Sequence, residues 1–376
     1  MKKNTNYILI IVITALLLFL TVASIIKPDV RMSENENRIL TQAPEFRISD
    51  ILDGRFESQL EDYLSDQIIG RENWIRITTG TMKVAGARDA NGVYFLDGGR
   101  LAERLITADF NDRRFRANVD EVMRLRDDLM ESDIPVDLML VPTAVHSYSE
   151  EYNMSTNFNE NAAMGIASHQ LEGSFIDLRD ELSADKGDFY FMTDHHWNYD
   201  GAMKSASVYI TDALGRKAPE YMEHELTSDF RGTLYSKVLL NEDVTDSIRV
   251  PEGSLDKKVK VVIDGDEYDS VYFMDRLENK DKYEVFFGGN YGRVDIDTGS
   301  QNVKGERLLI VKDSYANSFV PFILDEFGSI TMVDTRYFKE SVKDLAEKEG
   351  FTRVLVLYSI SNFSQEKMAL STDLLQ

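Results

Sequence analysis

"RLLIVKDSYANSFVPFILDEFGSITMVDTRYFKESVKDLAEKEGFTRVLVLY", residues 307–358, decides the fold. Three short runs in it are apolar at nearly every position: 307–311, 329–333 and 353–358. Between them lie two segments of helical character, 314–328 and 339–350. Strands without polar alternation are buried on both faces, and their alternation with helices predicts a parallel sheet covered on both sides. Pro321 either kinks the first helix or lies in the first turn of a later one, and Gly350 stops the second.

Active sites of such sheets lie just past the carboxyl ends of the strands. Past 307–311 come Lys312, Asp313 and Ser314; past 329–333 come Asp334 and Arg336; past 353–358 come Ser359 and Asn362. Another buried run, "VDLMLVP" (136–142), leads to Thr143 and His146. Ser314 is the candidate nucleophile, because its hydroxyl can rise from a strand-to-helix turn whose N–H groups face an oxyanion. Taken alone, the same position reads as a helix N-cap.

A serine needs a base, and the base needs an acid to orient it. "TDHHWN", residues 193–198, offers both. The chain has five histidines, and two are adjacent here, His195 and His196. On an extended loop neighbouring side chains point apart, so one of the two reaches the serine. A metal site is the competing reading, with Asp177, Asp180 and Asp188 upstream as further acids, but these follow no ligand spacing. Trp197 is either core or a stacking surface for a sugar ring. Arg336 either clamps an acidic group or pairs with Asp334. His146 either lines the same cleft or sits on a surface loop.

Formal charge is −23, from 42 Lys+Arg against 65 Asp+Glu. So acidic a surface repels nucleic acid. There is no cysteine, which excludes disulfides, thiolate zinc and iron–sulfur clusters. Residues 7–26 carry no charge and follow Lys2 and Lys3. That length fits a spanning helix with the body outside; cleavage near Val22-Ala23-Ser24 is the alternative, giving a secreted protein. Residues 1–27 are therefore a membrane anchor or signal segment. Residues 28–80 are a polar stalk followed by helices, with Phe56, Leu60, Leu64 and Ile68 spaced by four. The main domain runs over 81–376. It includes a hairpin at 91–101, helices at 112–131, 160–172 and after 198, a strand at 174–178, and a β-rich insertion at about 226–300. In that insertion "KVKVVID" and "YEVFF" read as strands.

"TDHHWN" followed by a helix, "LLIVKDSYANSFVPF" and "VDTRYF" resemble the DHHW protein family, as do "SDQIIGRENWI" (65–75) and "FFGGNYG" (286–292). That family is similar to the SGNH-hydrolase-like domains of alginate O-acetyltransferases. The resemblance implies a three-layer α/β fold with a mainly parallel sheet. It implies a triad in the permuted order Asp194, His196, Ser314, with His196 matching the histidine of an Asp-x-His-Trp signature. It leaves His195 and Trp197 as candidate substrate contacts. The implied activity is O-acetyl transfer to, or acetyl-ester hydrolysis on, a cell-surface polysaccharide, with no cofactor and no metal. A single anchor leaves delivery of the acetyl donor to a separate multi-pass membrane protein. A non-catalytic polysaccharide-binding or assembly protein on the same fold is the alternative. Two departures stand out. Lys312 occupies the place of the usual glycine before Asp-Ser, and no Gly-x-Asn-Asp segment is evident. Oxyanion donation then falls to backbone N–H groups near Ser314, with Asn317 or Asn362, while Arg336 remains a candidate substrate contact.

Overall fold

A computed structural model describes residues 2–33, 38–152, 156–240, 243–368 and 370–371. It divides into two compact units, Met1–Asn91 with Tyr235–Glu242, and Gly92–Leu234 with Asp243–Gln376.

The smaller unit begins with α1 (Lys2–Ile26), whose stretch Tyr7–Ile26 is long and apolar enough to cross a membrane. Next come α2 (Arg55–Gln67) and α3 (Arg71–Val84), as the spacing predicts. The apolar positions of α2 are not its buried ones: Leu64 is exposed, while Asp66 and Gln67 are buried. The polar stretch before the helices folds back on these two. Gln67 bonds both the N–H and the carbonyl of Val30, and Asp66 accepts from the Thr41 N–H. Met32–Ser33 pairs with Arg38–Ile39, so this stretch is not uniformly extended. Residues 34–37 of the expected stalk and 241–242 of the expected insertion lie outside the described residues.

In the larger unit the first elements are α4 (Asp112–Met130), β1 (Val136–Val141), α5 (Glu160–Gln170), β2 (Phe175–Asp177) and α6 (Tyr199–Val208). Then follow β3 (Lys260–Ile263), β4 (Asp266–Tyr268), β5 (Arg293–Asp297) and β6 (Arg307–Lys312). The chain closes with α7 (Tyr315–Phe319), β7 (Ser329–Val333), α8 (Val342–Glu349), β8 (Arg353–Ser359) and α9 (Ile360–Gln365). One eight-stranded sheet runs in the order β4-β3-β5-β7-β6-β8-β1-β2. The five strands from β7 to β2 are parallel, and β5, β3 and β4 extend that edge antiparallel.

Alternate residues of each parallel strand enter two different cores. Leu308, Ile310, Leu355, Leu357, Met139 and Val141 pack on one face, with Ala202 and Ala206 of α6 and Ala316 and Phe319 of α7. Leu309, Val311, Val354, Val356, Leu138 and Leu140 pack on the other, with α4, α5, α8 and α9. Both faces are thus covered, and the three-layer SGNH-hydrolase-like fold expected from the sequence is present.

Two local expectations are corrected. "YEVFF" is no strand; Lys282–Val285 coils into a 3-10 turn, with one isolated bridge from Phe286 to Tyr272. The helical stretch expected over 314–328 is not one helix: the first ends at Phe319, and Pro321, which lacks the N–H that a continuing helix needs, lies in the first turn of a following 3-10 helix, the second of its two expected placements.

Candidate active site

The segment 190–197 doubles back on itself. Tyr190 and Trp197 form an antiparallel bridge, and the Phe191 N–H donates to the His196 carbonyl. Buried Asp246 holds the bend by accepting from the Met192 and Thr193 N–H groups. Asn198 then caps α6, its side-chain oxygen accepting from Asp200 and Gly201. The motif is therefore a tight bend feeding a helix. That corrects the expectation that the two histidines point apart: their ring centroids are 3.9 Å from each other.

His196 is 4% exposed and Asp194 2%. His196 Nδ1 lies 2.6 Å from Asp194 Oδ1, and its Nε2 lies 2.7 Å from Ser314 Oγ. With the ring proton on Nδ1, Nε2 accepts from the serine hydroxyl. Burial, and then the neighbouring His195, push His196 below its ordinary value against the pull of Asp194, so the ring is neutral at neutral pH. Burial alone raises the Asp194 pKa, but both histidines and the hydrogen bonds from His196 hold it well below the usual carboxylate range. Ser314 sits at the strand-to-helix turn after β6 and is its helix's N-cap by position, but its side chain makes no capping bond. The hydroxyl is committed to the histidine instead.

Asp194 is saturated. Oδ1 accepts from the His196 N–H and Nδ1–H, and Oδ2 from the Thr233 N–H at 2.7 Å and hydroxyl at 2.9 Å. Gly232 makes this approach possible, since a Cβ there meets Asp194 at 2.2 Å. The Thr233 hydroxyl spends its proton on Asp194, so it accepts from His195 Nδ1, 2.7 Å away. His195 is thereby tied to the same carboxylate through one hydroxyl, and it is not bonded to Ser314.

Asp194, His195 and His196 offer atoms within 4.8 Å of one another, a spacing compatible with a cation. The donor chemistry does not fit one, because four N–H and O–H donors already occupy the carboxylate and both His196 nitrogens are engaged. Of the upstream acids, Asp177 is paired with Arg179 and Asp188 with Arg100.

Other expected contacts are redirected. Trp197 is fully buried, donates from Nε1 to Ser318 Oγ at 2.8 Å and stacks near Phe319, so it offers no face to a sugar. Asn362 Nδ2 donates to Asp313 Oδ2 at 2.9 Å, which makes it a support of the serine turn rather than an oxyanion donor. Asn317 is buried, with its amide bonded to Lys312, Asn290 and Gly289. Arg336 pairs with Asp334 at 2.6 Å, one of the two roles expected for it. His146 lines a different cavity of about 240 Å³ with Thr143, Phe158 and Glu160. Ser314 does not border that cavity.

Tyr283 was not legible as a site residue. Its ring stacks on His196 at 3.9 Å and 10°, and its hydroxyl donates to the Ser314 carbonyl at 3.1 Å. His196 is thus flanked by two rings, Tyr283 and His195, each with its centroid 3.9 Å away. Thr233 and Asp246 were missed as well, since each acts on the motif from 39 or 53 positions away.

Residues 173–333 match the family model described as DHHW protein, and residues 101–242 match the SGNH hydrolase-like domain of the acetyltransferase AlgX. The resemblance read from the motifs is borne out. A DHHW family protein of Eubacterium siraeum is 24% identical, with 74% of this chain and 94% of that one covered and a TM-score of 0.60. Bacillus cereus PatB1 is 20% identical, with 74% and 99% covered and a TM-score of 0.61. PatB1 has also been captured with a sulfonyl adduct, at the same identity and TM-score and 98% coverage of its chain. At these identities the structural likeness establishes the fold. No curated protein matches the chain.

Proposed function

We propose, on the premise of the DHHW match over 173–333, that this chain is a serine enzyme that moves acetyl groups on a cell-surface polysaccharide. The supporting observation is the continuous line Asp194–His196–Ser314, with contacts of 2.6 and 2.7 Å. Ser314 Oγ attacks the acyl carbonyl while its proton passes to His196 Nε2, and Asp194 steadies the imidazolium that results. Among the described residues the Ser314 N–H has no hydrogen-bond acceptor, which leaves it to meet the oxyanion. Collapse expels the donor's oxygen, which takes the proton from His196, and leaves acetyl-Ser314. A sugar hydroxyl then gives its proton to His196 and attacks the acetyl, and collapse expels Ser314 Oγ, which takes that proton back, so a transferase is complete; water in place of the sugar makes an esterase.

The body works outside the cytoplasm, held by α1 as a single-pass anchor, and a multi-pass membrane protein supplies the acetyl donor. Support for this placement is the uncharged stretch Tyr7–Ile26.

The test is acetyl-ester hydrolysis with 4-nitrophenyl acetate by the full chain in detergent. Wild type turns over, and Ser314→Ala loses at least about 10³-fold in kcat. Intact-mass labelling by an aryl sulfonyl fluoride occurs in wild type and not in Ser314→Ala. A wild-type chain with neither turnover nor label sinks the proposal.

A further inference from the structure

Lys312 ends β6 two residues before Ser314 and is 1% exposed. Its ammonium touches no carboxylate among the described residues. Its partners are two amide oxygens, Asn290 Oδ1 at 2.7 Å and Asn317 Oδ1 at 2.9 Å. A buried charge without an ion-pair partner destabilises a fold, and a methionine would fill the same space without that penalty. Such a group at the edge of a reactive turn calls for a functional reason.

We infer that Lys312 is a positioning residue for acyl transfer: through Asn290 and Asn317 its ammonium fastens the turn Gly288–Gly292 to the helix that starts beside Ser314. The inference rests on the serine-enzyme reading above.

The contacts close a ring. Asn290 Oδ1 also accepts from Asn317 Nδ2 at 3.2 Å, and Asn317 Nδ2 reaches the Gly289 carbonyl at 3.4 Å. The Asn317 N–H donates to the Ser314 carbonyl, the same oxygen that Tyr283 contacts. The turn is bonded at both ends, with the Gly288 and Gly289 N–H groups donating to the Glu284 and Phe286 carbonyls and the Gly292 carbonyl accepting from the Asp334 N–H, and its tip reaches α7 through Asn290 and the Gly289 carbonyl. Gly288 and Gly289 take φ of 76° and 129°, which favours residues without side chains, and Asn290 is exposed. An ammonium donating to both amides at once bridges the exposed tip of this turn to the helix beside Ser314. Both amide oxygens are thereby oriented toward the ammonium.

The charged groups around the ammonium are Asp313 on its own strand end, Asp334 and Arg336 past β7, and Glu366 past α9. Burial is the largest influence and lowers its proton affinity, as does Arg336; Asp334, Asp313 and Glu366 raise it, and the balance is a value pushed down to about 8. Below that pH the clamp is charge-assisted; above it the bonds weaken to neutral ones.

The experiment follows hydrolysis and sulfonyl labelling of the full chain in detergent from pH 6 to 10, for wild type, Lys312→Met and Asn290→Ala. Wild type loses kcat with a midpoint about where Lys312 deprotonates. Lys312→Met loses about tenfold or more in kcat at pH 7, as expected for a displaced reactive group, with KM within about twofold and no alkaline fall. Asn290→Ala, exposed and safe for folding, shows a smaller kcat loss and keeps an alkaline fall through the remaining Asn317 contact. Melting provides an independent readout. The folded value of Lys312 lies below the unfolded one, so its penalty is full below about pH 8 and relieved as pH rises toward 10.5. Lys312→Met therefore melts higher than wild type at pH 7, and the gap closes over that window. Variants that label and turn over at the wild-type rate and pH profile overturn the clamp alone. A wild type unlabelled at Ser314 overturns the serine-enzyme reading and the clamp together.

Discussion

Asp194 and Asp313 are both buried, at 2% and 0% exposure; Asp194 stands two residues before His196, and Asp313 one residue before Ser314. Their hydrogen bonds differ in kind. Asp194 faces an imidazole, and its other bonds come from Thr233 and the His196 backbone. Asp313 faces only N–H groups that do not titrate: Tyr315 at 3.0 Å, Ser359 at 2.8 Å and Asn362 Nδ2 at 2.9 Å. It ties β6 to β8 and shapes the turn under Ser314. A buried carboxylate next to a nucleophile is thus either part of a proton relay or a staple, and the partner's ability to take a proton separates the two.

That contrast breaks first at Asp194. Asp194→Asn lowers kcat for ester hydrolysis by about 10³–10⁴-fold, because the amide no longer holds the His196 tautomer, while the fold persists by circular dichroism. An Asp194→Asn enzyme with wild-type kcat makes Asp194 a staple as well. Asp313→Ala reverses the pattern. Three buried N–H donors lose their acceptor, so urea unfolding reports a loss of about 2–4 kcal/mol, larger than that of Asp194→Asn. Residual kcat at low temperature stays well above that of Asp194→Asn. The smallest effect tests a third kind of neighbour. Trp197→Phe keeps an aromatic ring but removes the bond to Ser318 and part of the buried indole volume, and chemical denaturation registers about 1–2 kcal/mol. KM for an acetylated oligosaccharide is unchanged, since the indole is enclosed; a rise in KM restores the sugar-stacking role.

The sheet was readable because its signal is local. Runs such as 307–311 and 353–358 are apolar at successive positions, and only a strand buried on both faces requires that. Ser314, His196 and Asp194 were readable because strand ends and a short motif mark them. "YEVFF" misled for the same reason: alternation favours a strand, but Tyr283 is drawn into a turn by His196 on one side and Ser318 on the other. The paired histidines misled because an extended backbone was assumed where Asp246 enforces a bend.

The sequence by itself determined the layered parallel fold, the apolar N-terminal stretch, and three residues, Asp194, His196 and Ser314, whose side chains meet in one hydrogen-bonded line. Periodicity and short motifs encode these within a few positions. The tertiary structure alone decided that both histidines converge on one carboxylate through Thr233, that Trp197 is core, and that Lys312 is an enclosed ammonium gripping Asn290 and Asn317. Each of these depends on a partner many residues away, and a hydrogen bond's second half leaves no trace in the spacing of its first.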